Sequence, residues 1–181
     1  MGRAWRTECQ KAVTVWPDRM RPDASVTVPE IIKYSSNLGS ARIAQKAGTA
    51  LQKEYMALFG MLKPVRLELP ELGLPLYPAD WKPINTLTIA YGQGIAVTPL
   101  HLIAGVAGLI DGGTYRPVTI MKRDATVPFG GRRVIGEKTS NDIRQLMRLV
   151  VESGTGKSAN VPGYLVGGKT GHTSGAGWSQ A

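Results

Sequence analysis

The chain has 181 residues, 43% of them hydrophobic, which fits a single domain with a modest core. The basic residues behind its formal net charge of +9 are scattered and not interleaved with aromatic residues, so a dispersed basic surface is favoured over a nucleic-acid groove. The single cysteine, Cys9, excludes an internal disulfide, and the sequence has no zinc-ligand spacing that would predict a metal or other cofactor.

The first predicted elements are helices. Residues 1–24 show no clean periodicity, so irregular structure is predicted there. Thr27-Val28-Pro29-Glu30 has the form of a capping box and predicts a short helix that leads to Ser35-Ser36-Asn37. Apolar residues at helical spacing predict a second helix ending near Gly48. A second capping box, Thr49 with Gln52, predicts a third helix that ends before residue 60.

The middle of the chain begins with a connector. Residues 63–85 are rich in proline and predict an extended segment on the surface, and Tyr91-Gly92-Gln93-Gly94 predicts a turn. Thr98-Pro99 predicts the start of a helix that is apolar on nearly every side and is therefore expected to be buried. The nearly apolar run in it, residues 102–110, is too short for a membrane-spanning helix, and no secretory signal is recognisable.

In the last part of the chain, the sequence predicts a strand or extended arm over residues 115–121 and one more helix, capped by residues 139–142. Gly154-Thr155-Gly156-Lys157-Ser158 ends that helix and resembles a phosphate-binding loop. The full pattern needs a glycine where Val151 stands and a strand before the loop, so nucleotide binding is not predicted. Tyr164-Leu165-Val166 predicts a short strand leading into Gly168-Lys169-Thr170-Gly171.

Two motifs far apart in the sequence suggest a site. A lysine on an extended backbone edge can bind a peptide substrate that ends in a carboxylate, because the edge offers N–H and C=O groups and the lysine offers a positive charge. Taken alone, however, Lys169-Thr170-Gly171 is explained by an ordinary loop or strand. Ser35 and Asn37 are explained equally well as helix caps. Serine and asparagine facing a lysine-bearing strand across a cleft are typical of serine acyl transfer in penicillin-binding proteins and class A β-lactamases.

Further motifs strengthen this comparison because they occur in the order of one family. The ordered set is Thr27-Val28-Pro29-Glu30, Tyr34-Ser35-Ser36-Asn37, Tyr91-Gly92-Gln93-Gly94, Val97-Thr98-Pro99-Leu100, Gly112-Gly113-Thr114-Tyr115 and Gly168-Lys169-Thr170-Gly171. On these motifs the chain resembles a class B penicillin-binding protein, the division-type peptidoglycan D,D-transpeptidase. The resemblance implies an α+β fold, of which this chain would hold mostly the helical subdomain plus the Lys-Thr-Gly strand.

The resemblance also implies roles for individual residues. Ser35 would relay protons toward the leaving group, Asn37 would hydrogen-bond the amide of the substrate, and Lys169 would supply positive potential and position Ser35. Thr170 and Gly171 would form the strand edge that binds the substrate and its carboxylate. The implied partners are peptidoglycan stem peptides, β-lactams and the membrane proteins of the divisome, with no nucleic acid. The implied location of the full-length family is the periplasmic face of the bacterial inner membrane, although this chain has no recognisable signal or anchor.

The chain also departs from the family pattern. No serine is followed by lysine three positions later, so the family nucleophile and the lysine that activates it are missing from these residues. Residues 1–24 and 172–181 do not resemble the family, and His172 stands where threonine or serine is expected after Lys-Thr-Gly, with Thr173 one position too late. His172 as a recruited base is a minor alternative, and His101 is expected to be a surface or cap residue.

We therefore predict a partial transpeptidase domain over residues 25–171 that is catalytically incomplete. Two alternatives stay open at this point. A fragment of a serine β-lactamase-like hydrolase shares the main motifs, and a non-catalytic basic binding module would explain the charge.

Overall fold

The computed structural model describes residues 26–124 and 126–171. Within them the chain forms six α-helices, a two-stranded sheet and one 3₁₀ helix. The elements are α1 (Val28–Tyr34), α2 (Asn37–Ala47), α3 (Thr49–Leu58), α4 (Pro83–Ile89), α5 (Pro99–Ile110), β1 (Thr114–Tyr115), β2 (Arg132–Arg133), α6 (Glu137–Ser153) and the 3₁₀ helix (Lys157–Ala159). Predictions that concern residues 1–24, Cys9, His172 and Thr173 lie outside the described residues.

The predicted capping box forms at the start of α1. The Glu30 carboxylate accepts hydrogen bonds from the Thr27 amide at 2.8 Å and from the Thr27 hydroxyl at 2.9 Å, and the Thr27 hydroxyl in turn accepts from the Glu30 amide. Pro29 lies in the first turn, where its missing N–H breaks no helical bond. These local interactions fix where α1 begins and therefore where its C-terminal end delivers Ser35.

Ile31 forms the core beneath α1. Its side chain is 1% exposed and packs against Val26 and Ile43. Gly39 allows α2 to approach, because a Cβ atom at this position would lie 2.5 Å from Ile31 Cγ1. α6 also packs against α1, and its Val150 is fully buried. The position of α1 is thus fixed by contacts with both α2 and α6.

The second predicted capping box does not form. Gly48 is the N-cap of α3 and provides no side-chain cap, while the Thr49 hydroxyl hydrogen-bonds the Thr86 hydroxyl at 2.8 Å. Gln52 donates to the Thr86 carbonyl instead of reaching back to its own helix. Both side chains are used for tertiary contacts to α4, a helix that was not predicted and that begins within the predicted 63–85 connector.

α5 begins and ends as predicted, but it is only partly buried. Ala104 and the helix glycines face the interior, whereas Leu102 and Ile103 are exposed. His101 is a cap residue as expected but is not on the surface. It is 1% exposed, its Nδ1 lies 2.7 Å from the Thr98 hydroxyl, and its Nε2 lies 2.9 Å from the Lys63 carbonyl oxygen. His101 therefore ties the connector to α5.

The sheet is small, and it lies beside α5 and before α6. β1 pairs antiparallel with β2, with Thr114 opposite Arg133, so the predicted arm over residues 115–121 pairs only at its first residue. α6 begins at Glu137, two residues before the predicted cap, and ends at Gly154 as predicted. Buried Ser140 donates to the Leu109 carbonyl at 2.6 Å and joins α6 to α5.

The Lys-Thr-Gly segment does not form the predicted strand. Residues 165–171 have no strand partner among the described residues, and Leu165 is 92% exposed. A strand requires a hydrogen-bonded neighbour, and this segment uses its backbone to contact α6 instead. The described helices include none that is long and apolar enough to cross a membrane.

Candidate active site

Ser35 lies at the junction between α1 and α2. Its φ of 56° and ψ of 45° place it in the left-handed region, and it is the only described non-glycine residue with a positive φ. This conformation costs a non-glycine residue about 1–2 kcal/mol. The backbone amides of Ser35 and Ser36 donate hydrogen bonds to carbonyls of α1. The Ser36 hydroxyl accepts a hydrogen bond from the Gly39 amide at 3.1 Å and so caps the start of α2. Ser36 is therefore the N-cap of α2, while Ser35 is the C-cap of α1.

The loop after α6 docks against the end of α1. A Cβ atom on Gly154 would lie 2.5 Å from the Lys33 carbonyl oxygen and 2.9 Å from Val150 backbone atoms, so only glycine allows this approach. The Thr155 amide donates to the Lys33 carbonyl at 3.2 Å, and the Gly156 amide donates to the Val150 carbonyl at 3.1 Å. These bonds hold Thr155 beside Ser35.

The Lys-Thr-Gly segment is fixed along α6. The Gly168 amide donates to the Met147 carbonyl at 3.1 Å, and Arg148 Nη1 donates to the Val166 carbonyl at 2.8 Å. Arg148 also pairs with Glu152 at 2.8 Å. A Cβ atom on Gly167 would lie 3.3 Å from the Arg148 amide nitrogen, so the glycine permits the close approach to the helix. The segment then delivers Lys169 to the C-terminal end of α6.

Lys169 and Ser35 meet there. The Lys169 Nζ donates to the Ser35 Oγ at 2.5 Å, although the two residues are 134 positions apart in the sequence, and it also donates to the Thr170 carbonyl at 2.9 Å. An ammonium group has three N–H donors, so one has no partner among the described residues and can bind a ligand. Partial burial lowers the pKa of Lys169 below its usual value.

Three hydroxyl groups surround this contact. Ser35 Oγ lies 3.3 Å from Thr170 Oγ1 and 3.4 Å from Thr155 Oγ1, and the two threonine hydroxyls are 2.7 Å apart. We call Ser35, Thr155, Lys169 and Thr170 the hydroxyl–lysine cluster. Its hydroxyls accept and donate protons, and its ammonium provides a positive potential beside them, as a proton relay requires.

The cluster does not include every residue of the predicted site. Asn37 is exposed in the first turn of α2, and its side chain makes no hydrogen bond within the described residues. Gly171, also exposed, is the last residue described. Ser35, Lys169 and Thr170 are therefore brought into contact, whereas Asn37 and Gly171 lie nearby in the chain without joining the cluster.

Thr155 was missed by the sequence analysis as a site residue. It belongs to the Gly154-Thr155-Gly156 stretch, whose resemblance to a phosphate-binding loop was the one functional interpretation made from the sequence. The two glycines are the signal that was available, because they indicate a close backbone approach. Residues 26–124 and 126–171 bring together no group of three histidine, cysteine or acidic side chains suited to a metal ion.

Comparison with known proteins yields one family. The family model of the penicillin binding protein transpeptidase domain matches residues 4–180. This match extends beyond both ends of the predicted 25–171 domain, and the boundaries of that domain stay a prediction. The probable peptidoglycan D,D-transpeptidase FtsI of Caulobacter vibrioides is 38% identical over 82% of this chain and 26% of its own length. Stage V sporulation protein D of Bacillus subtilis is 34% identical over 80% of this chain and 24% of its own length.

Solved structures give the same result. The transpeptidase domain of penicillin-binding protein 3 from Burkholderia pseudomallei matches with a TM-score of 0.78 and 30% identity, over 88% of this chain and 50% of that domain. Penicillin binding protein 3 from Mycobacterium tuberculosis, in complex with aztreonam, matches with a TM-score of 0.70 and 25% identity, over 77% of this chain and 35% of that one. These matches confirm the predicted fold class, a part of the α+β transpeptidase fold. The chain spans about a quarter of the length of the curated relatives.

Proposed function

The chain belongs to the penicillin binding protein transpeptidase domain family, and on this premise we propose that its hydroxyl–lysine cluster is one side of a serine acyl-transfer site. The proposed substrate is a peptidoglycan stem peptide that ends in D-alanyl-D-alanine, and the proposed reaction is the cross-linking of two such peptides. The observation that carries the proposal is the 2.5 Å hydrogen bond between Lys169 and Ser35, which joins the two predicted motifs.

The cluster suits this chemistry in two ways. Ser35 accepts a hydrogen bond from Lys169 and carries a hydroxyl proton of its own, so it can receive one proton as it passes the other on, without a change in its net charge. Lys169 places a fixed positive charge where a substrate carboxylate or a developing negative charge would lie. In this proposal Asn37 binds the substrate amide, and Thr170 and Gly171 bind its carboxylate end.

The nucleophile is proposed to come from outside these 181 residues. None of their serines has a lysine three positions later, and Ser35 is engaged as an acceptor of the Lys169 ammonium instead of facing a neutral base. On this account the chain by itself forms no acyl-enzyme. It contributes the relay and the cleft edge to a larger active site.

Partners and location are proposed from the relatives. The aztreonam complex of the Mycobacterium tuberculosis relative supports β-lactams as ligands of the completed site. The Caulobacter vibrioides relative, named as an FtsI peptidoglycan D,D-transpeptidase, supports a function in cell-wall synthesis during division. A location at the periplasmic face of the inner membrane, with divisome membrane proteins as partners, follows from that function.

A peptide titration tests the proposal. A peptide ending in D-alanyl-D-alanine is added to the chain, and amide and side-chain resonances are followed by NMR. We expect shifts at Ser35, Asn37 and residues 169–171, and at least a tenfold loss of affinity in Lys169→Ala, because a charge-assisted hydrogen bond to the carboxylate is removed. Lys157→Ala is the matched control, since Lys157 is an exposed lysine of the neighbouring 3₁₀ helix. Equal affinities of the two variants would refute the proposal.

A further inference from the structure

Thr155 provides the third hydroxyl of the cluster, and it lies outside both motifs that form the rest of the site. Its Oγ1 lies 2.7 Å from Thr170 Oγ1 and 3.4 Å from Ser35 Oγ, so it contacts both segments of the site. Its backbone amide is bonded to the Lys33 carbonyl, two residues before Ser35. Thr155 is therefore fixed to α1 by its main chain and to the Lys-Thr-Gly segment by its side chain.

The protons of the cluster can be assigned one by one. The Lys169 ammonium can only donate, so Ser35 Oγ accepts in the 2.5 Å contact. The Ser35 hydroxyl proton must then point elsewhere, and within residues 26–124 and 126–171 the acceptors in reach are Thr155 Oγ1 and Thr170 Oγ1. The bond between the two threonines uses one of their protons and leaves an acceptor lone pair toward Ser35.

We propose that Thr155 is a positioning residue for the relay, because its hydroxyl, paired with that of Thr170, draws the Ser35 proton away from Lys169 and keeps a Ser35 lone pair directed at the ammonium. The inference rests on the proposed function, since it concerns the same relay. Hydrogen bonds in a chain polarise one another, so the outward bond from Ser35 strengthens the bond that it accepts from Lys169.

The loop that carries Thr155 is built to hold this position. Gly154 has no Cβ atom and therefore lets the Lys33 carbonyl approach closely. At buried Gly156, a Cβ atom would lie only 3.2 Å from Val150 Cγ1. Both glycines therefore serve the packing of the loop against α1 and α6, while Thr155 turns its side chain to the cluster.

Other charges near the cluster are engaged elsewhere. Lys33 of α1 lies with its Nζ 4.9 Å from the Tyr34 ring centroid, and Arg148 of α6 pairs with Glu152. No carboxylate forms an ion pair with Lys169 in the part of the chain that the structure describes. Partial burial is therefore the cause that lowers the pKa of Lys169, and the hydrogen bond to Ser35 is the contact that the variants below alter.

The test is an NMR titration of the Lys169 side chain in the full 181-residue chain. The variants distinguish the effect of the Thr155 hydroxyl from the effect of the shape of its side chain. Thr155→Val keeps the shape and the backbone amide but removes the hydroxyl, and Thr155→Ser restores the hydroxyl. Thr139→Val is the control, since Thr139 is an exposed threonine of α6 that does not belong to the cluster. Ser35→Ala removes the acceptor itself.

A bond that stabilises the ammonium raises the pKa of Lys169, so losing the bond lowers it. We expect Ser35→Ala to lower this pKa and Thr155→Val to lower it by a smaller amount, because Thr155 acts on the bond only through Ser35. Thr155→Ser and Thr139→Val are expected to match the wild type. The double variant of Ser35→Ala and Thr155→Val is expected to match Ser35→Ala, because the effect of Thr155 passes through Ser35.

The remaining outcomes overturn the inference in distinguishable ways. If Ser35→Ala lowers the pKa and Thr155→Val does not, the role of Thr155 is wrong while the proposed relay stands. If neither variant changes the pKa, the Lys169–Ser35 contact of the proposed function fails as well. If Thr155→Ser lowers the pKa of Lys169 as Thr155→Val does, the hydroxyl is not what matters and Thr155 only packs the loop. The same conclusion follows if Thr155→Val lowers this pKa further in the Ser35→Ala background.

Discussion

Gly154→Ala is the substitution that most directly tests how the loop after α6 is held against α1. A Cβ atom here would lie 2.5 Å from the Lys33 carbonyl oxygen, and 2.9 Å from both the Cα and the carbonyl oxygen of Val150. All three are backbone atoms, so no flexible side chain can move aside. An ordinary contact is at least about 3.4 Å, and the loop must therefore shift by about 1 Å.

Such a shift has two consequences. Overpacking of this kind costs about 1–3 kcal/mol of unfolding free energy, and the three backbone contacts place Gly154→Ala in the upper part of that range. The shift also carries Thr155 Oγ1 out of hydrogen-bond range of Ser35 Oγ, because that distance is already 3.4 Å. We therefore expect a loss of about 2–3 kcal/mol, together with the same fall in the pKa of Lys169 as in Thr155→Val.

Urea unfolding monitored by circular dichroism measures the first effect, and the Lys169 titration measures the second. Gly130→Ala is the matched control, since a Cβ atom on Gly130 meets no atom within 4 Å, and its expected effect is below about 0.5 kcal/mol. If Gly154→Ala is as stable as Gly130→Ala, the loop is not docked on α1 as described, and the placement of Thr155 beside Ser35 loses its structural basis.

Three further predictions concern other contacts. Ile31→Ala is expected to cost about 2–5 kcal/mol in urea unfolding, because its side chain is fully buried; a loss below about 1 kcal/mol would contradict the described core. Ser140→Ala is expected to cost about 1–3 kcal/mol, since it leaves the Leu109 carbonyl without its donor, and an unchanged unfolding midpoint would count against that bond. The pKa of Glu68 is lowered, mainly because its carboxylate accepts a hydrogen bond from the Thr119 hydroxyl and secondly because it accepts one from a backbone amide. The stabilisation from this contact is therefore fully present above the ordinary glutamate pKa of about 4.3, and it is lost as the pH falls through the lower folded pKa. An NMR titration should find a higher pKa for Glu68 in Thr119→Val, and an unchanged value would disprove the interaction.

The sequence predicted the helices that carry their own local signals. The capping box of Thr27 and Glu30 and the proline after Thr98 are such signals, and both mark helix starts that the structure confirms. Thr49 carries the same kind of signal, but its hydroxyl is claimed by Thr86 of α4. A capping residue can bind a distant partner as readily as its own helix, and the sequence does not show which is nearer.

The site was predictable in part for a related reason. Ser35 and Lys169 were found because they belong to separate motifs, and the structure places them in contact. Thr155 reaches the same cluster through a glycine-mediated approach of two backbones, which depends on the packing of α6 against α1. The strand predicted around Lys169 was wrong because period-two alternation indicates a strand only when a neighbouring strand is present to pair with it.

The central claim is that Ser35 acts as a relay and is not the nucleophile. Intact-mass spectrometry of the folded chain after incubation with benzylpenicillin tests this claim most directly. The account predicts an unchanged mass for the wild type and for Ser35→Ala, because these 181 residues contain no serine with the activating lysine. A penicilloyl adduct on the wild type that maps to Ser35 and is absent from Ser35→Ala would contradict the account and make Ser35 the attacking residue.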